Sequence, residues 1–453
     1  MQSLLRLVLI ISSVIFNFCW AVTDSSPDNK LNILTSFPPA FYQPFQQLFS
    51  QLHPEIELNI RNKKTTAGLS YLQRQTDHHI DIFWASAPDA FDILDQAELL
   101  EEIKDTPFPF PTELHGYPLK DIENHYLGFA LSGYGIIFNQ QYARQHQLPA
   151  PQSWKDLTNP LYHSHLALSS PSRSGTTHLM IEMILQHYGW NEGWKIILQM
   201  AGNAATITAR SYGVPEGVQQ GRFGLGLTID FLSRRISNDE IEFIYANETR
   251  FLPASIALLK TSSNKSNANL FIQFLLSRQG QELLQTRKIS RLPINPQLYA
   301  DNKSPLNPYS LKPANFLKTF SATESRQRYQ LVNTLFDHFI TFQLSTLQRI
   351  WKKVIEAEKI LNDNIESKNK WQSQLEAIRD QLTTIPLNAE QINNVITLRK
   401  SKPLNSNFST PGFLPSTLTP LKSTWLSTLV DAEKSLQEIL TDTLQVKTSV
   451  HIN

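Results

Sequence analysis

Fifteen of the 16 glycines fall in residues 1–310, and only Gly412 lies beyond them. Glycine is needed where a turn takes positive φ or where backbone closely approaches a ligand. Residues 322 to 384 contain neither Gly nor Pro and are rich in Gln, Leu, Lys, Glu and Ile. That is helix-forming composition. The asymmetry predicts a turn-rich α/β body to about residue 310 and an all-helical extension over 311–453, joined by the Pro-rich stretch Pro293 to Pro313.

The body alternates strand and helix signals. Leu31–Thr35, Glu55–Ile60 and Ile80–Ala85 read as strands, with Pro44–Leu52 and Pro88–Leu100 as helices between and after them. Strand–helix–strand units of this length imply parallel pairing and right-handed crossovers. Tyr126 to Phe138 reads as one long extended segment that Gly128, Gly133 and Gly135 allow to bend. A second α/β unit follows, with strands at 165–169, 205–208 and 223–229 and helices at 176–188, 191–199 and 214–220. Strand 253–259 and helix 267–276 then return to the first unit. In the extension, Ser321-Ala-Thr-Glu324 fits a capping box, and Leu331, Leu335, Phe339, Phe342 and Leu347 keep an apolar stripe. Asn388 and Ser423–Val446 begin further helices. Such an extension is either a packed addition that stabilises the body or a docking surface for a partner.

At the N-terminus Arg6 is the only charge before Asp24, Leu7 to Phe18 are almost entirely apolar, and Cys19-Trp20-Ala21 offers small residues for a cut after Ala21. This order predicts a signal peptide over 1–21 and export, in a bacterium to the periplasm. The apolar run is short for a membrane anchor. Asn17-Phe18 before Cys19 do not suit lipid attachment there. The one cysteine excludes a disulfide framework, a Cys-based zinc site and an iron–sulfur cluster. A balance of 41 Lys+Arg against 40 Asp+Glu argues against a nucleic-acid partner, whose phosphates need a basic excess.

Three loops follow strands and open helices. They are Thr35-Ser36, Ala85-Ser86-Ala87-Pro88, and Ser170-Pro-Ser-Arg-Ser-Gly-Thr-Thr177. Ligands of open α/β sheets bind beyond the carboxyl ends of strands, and helix N-termini there present free N–H groups to anions. Each loop alone reads as an ordinary helix N-cap. Together they would converge on one small anionic ligand, with Arg173, Arg210, the pair Lys63-Lys64 or the pair Arg234-Arg235 as counter-charges. The His78-His79-x-Asp81 and His163-Ser-His165 groups are poorly spaced for a metal, since adjacent residues on a strand point to opposite faces. The chain holds no Gly-x-Ser-x-Gly elbow, and His178 near Ser174 is the one suggestion of a nucleophilic pair. The expectation is a binding protein that is not an enzyme and has no cofactor and no resident metal.

Leu31-Asn-Ile-Leu-Thr-Ser-Phe37, Asp81-Ile-Phe-Trp-Ala-Ser-Ala-Pro-Asp89, Gly133-Tyr-Gly-Ile-Ile-Phe-Asn139 and Gly221-Arg-Phe-Gly-Leu-Gly-Leu-Thr-Ile-Asp230 together resemble extracellular solute-binding proteins of ABC-type uptake systems. The branch resembled includes ferric-iron, thiamine and phosphonate binders. Arg61 to Leu72 and Trp84–Asp89 are similar to phosphoglycerate transport regulators. The resemblance implies a type II periplasmic binding fold with lobe one over 30–131 and 252–310, and lobe two over 132–251. The crossings would fall near Ser132–Ile136 and Tyr245–Phe251. It implies ligand contacts at Thr35, Ser36, Ala85 and Ser86 from lobe one. Lobe two would supply Ser172, Arg173, Ser174, Gly175 and Thr176, with Arg210 and Asp230 facing the cleft. The expected ligand is a small anionic solute such as phosphoglycerate, and the expected partner an inner-membrane permease or a sensor kinase. An iron carrier is the third reading. The chain lacks the adjacent tyrosine pair of ferric binders.

Overall fold

A computed structural model describes residues 29–74, 78–300, 306–310, 320–387 and 415–450. The expected signal peptide and the helix expected from Asn388 lie outside the described residues.

The strands that matter here are β1 (Lys30–Thr35), β2 (Glu57–Asn62), β3 (Ile82–Ala85), β4 (Tyr126–Asn139), β5 (Leu166–Ser169), β6 (Ala204–Thr208), β7 (Leu225–Ile229), β8 (Ile241–Ile244), β9 (Phe251–Leu259) and β10 (Leu292–Pro293). Their order across the sheet is β2-β1-β3-β9-β4-β7-β5-β6. β1 pairs parallel with β2 and β3, and β5 pairs parallel with β6 and β7, as strand–helix–strand connections require. β9 and β4 run antiparallel between these halves.

β4 is the element that makes two lobes. Tyr126 to Gly133 pair with β9, whereas Tyr134 to Asn139 pair with β7 and β8. One strand thus belongs to two sheets, and the changeover sits at Gly133. A Cβ on Gly133 would lie 2.5 Å from the Tyr245 ring, so only glycine lets the two crossing segments meet.

The helices that matter here are α1 (Pro39–Leu52), α2 (Thr65–Arg74), α3 (Pro88–Gln96), α4 (Gly175–Tyr188), α5 (Trp190–Asn203) and α6 (Lys265–Leu276) in the body. The extension adds α7 (Ala322–Phe339), α8 (Leu344–Asp363), α9 (Ile365–Thr383) and α10 (Pro415–Val450). α1 starts five residues before the expected Pro44 and runs through it. Phe41, Phe45 and Phe49 recur one turn apart and are fully buried, two of them against Trp84. That packing outweighs the backbone bond that an internal proline forfeits. α2 has no counterpart among the elements expected from the sequence.

The extension is not one long helix. It breaks at Ile340 and again at Asn364, whose side chain accepts from Ser367 N–H and starts α9. Of the expected capping box only half forms. Ser321 Oγ accepts from Glu324 N–H at 3.2 Å, but the Ser321 N–H donates to Gln186 Oε1 of the body at 2.7 Å. The expected linker is also partly body. β10 pairs with β4, and Ile294 and Tyr299 are buried in the lobe-one core.

Two cores result. Lobe one buries Phe37, Phe41, Phe45, Trp84, Phe129 and Phe271 among themselves. Lobe two shares a single core with the extension, in which Trp194 and Met200 of α5 join Trp351 and Val354 of α8 and Leu436 of α10. A Cβ on Gly202 would stand 2.2 Å from the Trp351 ring. Gln348 Nε2 donates to the Ala204 and Ala205 carbonyls at 2.8 and 3.0 Å, covering the exposed edge that β6 would otherwise present.

Candidate functional site

Between the lobes lies a cavity of about 860 Å³. Its walls are built where strands end and helices begin. β3 ends at Ala85, and the loop to α3 places Ser86 on the cavity. β5 ends at Ser169, and Ser172, Arg173, Ser174, Gly175 and Thr176 form the wall as α4 starts. Ser174 caps α4, its Oγ accepting from Thr177 N–H at 3.2 Å, which aims the first free N–H groups of the helix at the cavity. Ser36 follows β1, and Arg210 follows β6.

Eight of the eleven expected contacts therefore line the cavity: Ser36, Ser86, Ser172, Arg173, Ser174, Gly175, Thr176 and Arg210. Thr35, Ala85 and Asp230 do not. Thr35 Oγ1 is buried and donates to the Trp84 carbonyl at 2.7 Å, tying β1 to β3. Ala85 is wholly buried within β3. Asp230 Oδ2 accepts from Gly133 N–H at 2.8 Å and from the Tyr245 hydroxyl at 3.1 Å. It fastens the two crossing segments together, and burial pushes its carboxyl up to about 6.

Several lining residues were not foreseen as contacts. Arg291 is 4% exposed and lies 4.1 Å from the centre of the Phe231 ring, with Phe37 and Phe41 also beside it. Its Nη1 donates to Ser132 Oγ at 3.0 Å, while its Nε is shut from solvent and has no partner. Burial lowers its pKa to about 10, so it stays charged at neutral pH. Its signal was present in the sequence, as a lone cation within the mostly apolar segment Ile289 to Ile294. Lys64 lines the cavity, whereas Lys63, Arg234 and Arg235 do not. The extension adds Arg326 and Tyr329.

The cavity thus carries five cations, Lys64, Arg173, Arg210, Arg291 and Arg326, against one carboxylate, Asp89. Asp89 Oδ1 is shut from solvent without a partner. Burial, with Asp92 and Glu182 nearby, raises its pKa to about 7 against the pull of Arg326. His178 is held neutral, its pKa lowered by burial to about 3. Its Nδ1 lies 2.9 Å from Asn333 Oδ1 and its Nε2 3.1 Å from Ser325 Oγ. Both ring nitrogens are engaged by α7, so the histidine is not poised over Ser174 as a base. His163 and His165 are likewise engaged, with the Gly202 carbonyl and the Tyr142 hydroxyl. Among the described residues the grouping with metal-ligand spacing is Asp95, Asp121 and His125, none of which lines the cavity.

Residues 77–319 match the family described as bacterial extracellular solute-binding protein. The chain belongs to this family. The solute-binding protein is 29% identical over 364 residues to the phosphoglycerate transport regulatory protein PgtC of Salmonella typhimurium, covering 80% of this chain and 86% of the relative. Its fold is shared with the periplasmic binding protein AfuA from Actinobacillus pleuropneumoniae, a structure with fructose-6-phosphate bound. The TM-score is 0.57 at 19% identity, over 68% of this chain and 98% of that one. The apo ferric ion-binding protein A of Pasteurella haemolytica gives a TM-score of 0.56 at 15% identity, over 68% and 97%. The solute-binding protein therefore has the type II periplasmic binding fold, with an added C-terminal helical region.

Proposed function

We propose that this protein captures a small phosphorylated organic anion, such as phosphoglycerate, between its two lobes in the bacterial periplasm. The observation that carries the reading is the excess of five cations over one carboxylate at a cavity also lined by Ser36, Ser86, Ser172, Ser174 and Thr176, in a chain of net charge +1. Positive charge concentrated where hydroxyls and a helix N-terminus meet is the chemistry of phosphate recognition. The description of the Salmonella relative and the phosphosugar in AfuA support it. The periplasmic setting rests on the extracellular family and on the charged–apolar–small order of residues 6–21. The protein binds and releases without chemistry, closing because the ligand is held better by the closed state. It then presents the ligand to an inner-membrane permease.

A second reading, in which the occupied protein signals to a membrane sensor kinase, is favoured by the Salmonella relative, a transport regulatory protein, and by the helical extension. Iron carriage is favoured by the ferric-binding fold relatives, but a bare cation would meet the five positive side chains.

Titration calorimetry and thermal melting of the protein with 3-phosphoglycerate, fructose 6-phosphate, inorganic phosphate and ferric citrate test the proposal. A phosphoester is expected to bind and raise the melting temperature, by the equivalent of about 2.7 kcal/mol at a hundred times its Kd. Stabilisation by ferric ion alone overturns the proposal.

A further inference from the structure

The fold relatives account for 68% of this chain, and the helical extension is the part that a two-lobed binder does not need. Yet α7 of that extension reaches the cavity. We propose that α7 is a third side of the ligand site, and that Arg326 contacts the ligand's anionic group directly. This rests on the reading of the cavity as an anion site.

The placement of α7 is set by lobe two. Arg328 Nε donates to both Glu182 carboxylate oxygens at 3.0 and 2.9 Å, with both side chains buried. Asn333 and Ser325 hold His178, and Asp337 Oδ1 accepts from Ser170 Oγ at 3.0 Å. These bonds fall along α4 and the loop before it, so they fix the rotation of α7 as well as its position. With Ser325 and Arg328 committed to lobe two, Arg326 and Tyr329 stand one turn apart on the cavity wall.

α7 also packs against α3 of lobe one. It therefore bridges the cleft, fixed by polar bonds to one lobe and resting on the other. The attraction of Arg326 reaches Asp89 and Asp92 of α3, but no hydrogen bond or ion pair joins it to either. Its Nη1 is shut from solvent and has no partner. Arg326 as a whole is half-buried and lines the cavity, so its guanidinium is within reach of what enters there. The cavity that Arg326 faces is where an acceptor enters, and a phosphate or carboxylate offers several. The ligand would then touch lobe one, lobe two and the extension at once, and its arrival would change the forces on α7.

The test compares full-length wild type, Arg326→Gln and Arg326→Lys by titration calorimetry with 3-phosphoglycerate and fructose 6-phosphate, with thermal melts of each ligand-free protein. Arg326→Gln is expected to weaken phosphoester binding about 10- to 100-fold, the loss of one charge-assisted bond, with an unchanged ligand-free melting temperature. Arg326→Lys, which keeps the charge but not the planar fork, is expected to recover part of it. If wild type binds and Arg326→Gln binds equally well, this inference alone falls. If wild type binds neither phosphoester, the functional reading falls and this one with it. If Arg326→Gln melts lower, the Lys variant decides. Affinity that follows the melting temperature rather than the charge at 326 makes the residue structural and overturns the inference.

Discussion

The two lobes share a topology and differ in how they close their cores. Lobe one closes its main core with its own residues. The Phe41 and Phe45 rings stand 5.6 and 5.5 Å from Trp84, and Phe129 and Phe271 complete the packing. Its buried acid, Asp81, is satisfied by neutral donors, Ser262 Oγ at 2.7 Å and Asn32 N–H at 2.8 Å, all within lobe one. Lobe two is open without the extension. Its α5 face is covered by α8 and its sheet edge by Gln348. One of its buried acids, Glu182, is paired with Arg328 from α7. The helical extension is therefore part of lobe two rather than an appendage to the body. The difference matters for closure, because any movement of lobe two would carry α8 and α10 with it through their shared core.

The largest way to break this comparison is to remove the extension. Trp351, Val354, Trp425 and Leu436 are all 5% exposed or less. At about 1.5–3 kcal/mol for each large apolar side chain, losing their burial rivals the whole stability of a domain, about 5–15 kcal/mol. A chain ending at residue 310 is expected to lose the cooperative unfolding of lobe two while the fluorescence of Trp84 in lobe one stays native. If that chain melts in one transition at the wild-type temperature, the two cores are independent after all.

A smaller cut is Glu182→Ala. It leaves the Arg328 guanidinium buried beside His178 with only the half-exposed Glu324 as an ionic partner, a loss of about 3 kcal/mol, the low end for breaking a buried pair. Urea unfolding is expected to show the loss in lobe two, read from Trp194, and little change in lobe one. Equal loss at both tryptophans would show that the lobes unfold as one and would remove the contrast.

The contrast also explains what could be read from the sequence. The changeover strand β4 was legible because Gly133 and Gly135 interrupt a long apolar segment, and the helix-opening loops were legible from their clustered hydroxyls. Those signals are local. Asp230 was misassigned because a carboxylate after a strand looks the same whether it faces a ligand or, as here, accepts from Gly133 N–H 97 residues away. Arg326 and Tyr329 were missed for the same reason. They lie on a stretch without Gly or Pro, and long-range bonds such as Arg328–Glu182, 146 residues apart, turn them toward the cavity. The break of the extension at Asn364 was written in Asn362-Asp-Asn364 but was masked by the absence of Gly and Pro.

The finest test sets a surface ion pair of the extension against the buried one. Glu433 of α10 receives Arg349 Nε at 2.7 Å and Lys353 Nζ at 3.1 Å from α8. The hydrogen bond from Arg349 is the main cause that lowers its pKa from 4.5 to about 2. An acid whose folded pKa is depressed contributes stability above its unfolded pKa, and the contribution fades as pH falls from 4.5 through about 2. Arg349 and Glu433 are partly exposed, so water and salt screen the pair, and its worth is at most about 1 kcal/mol. Glu433→Gln is expected to lower the melting temperature slightly at pH 7 in low salt and not at all in 1 M NaCl or at pH 2, whereas the Glu182→Ala loss persists in high salt. A Glu433 effect that survives high salt would mean that α10 is held to α8 by charge rather than by the shared apolar core, and that lobe two is completed differently from what the packing of Trp351 and Leu436 implies.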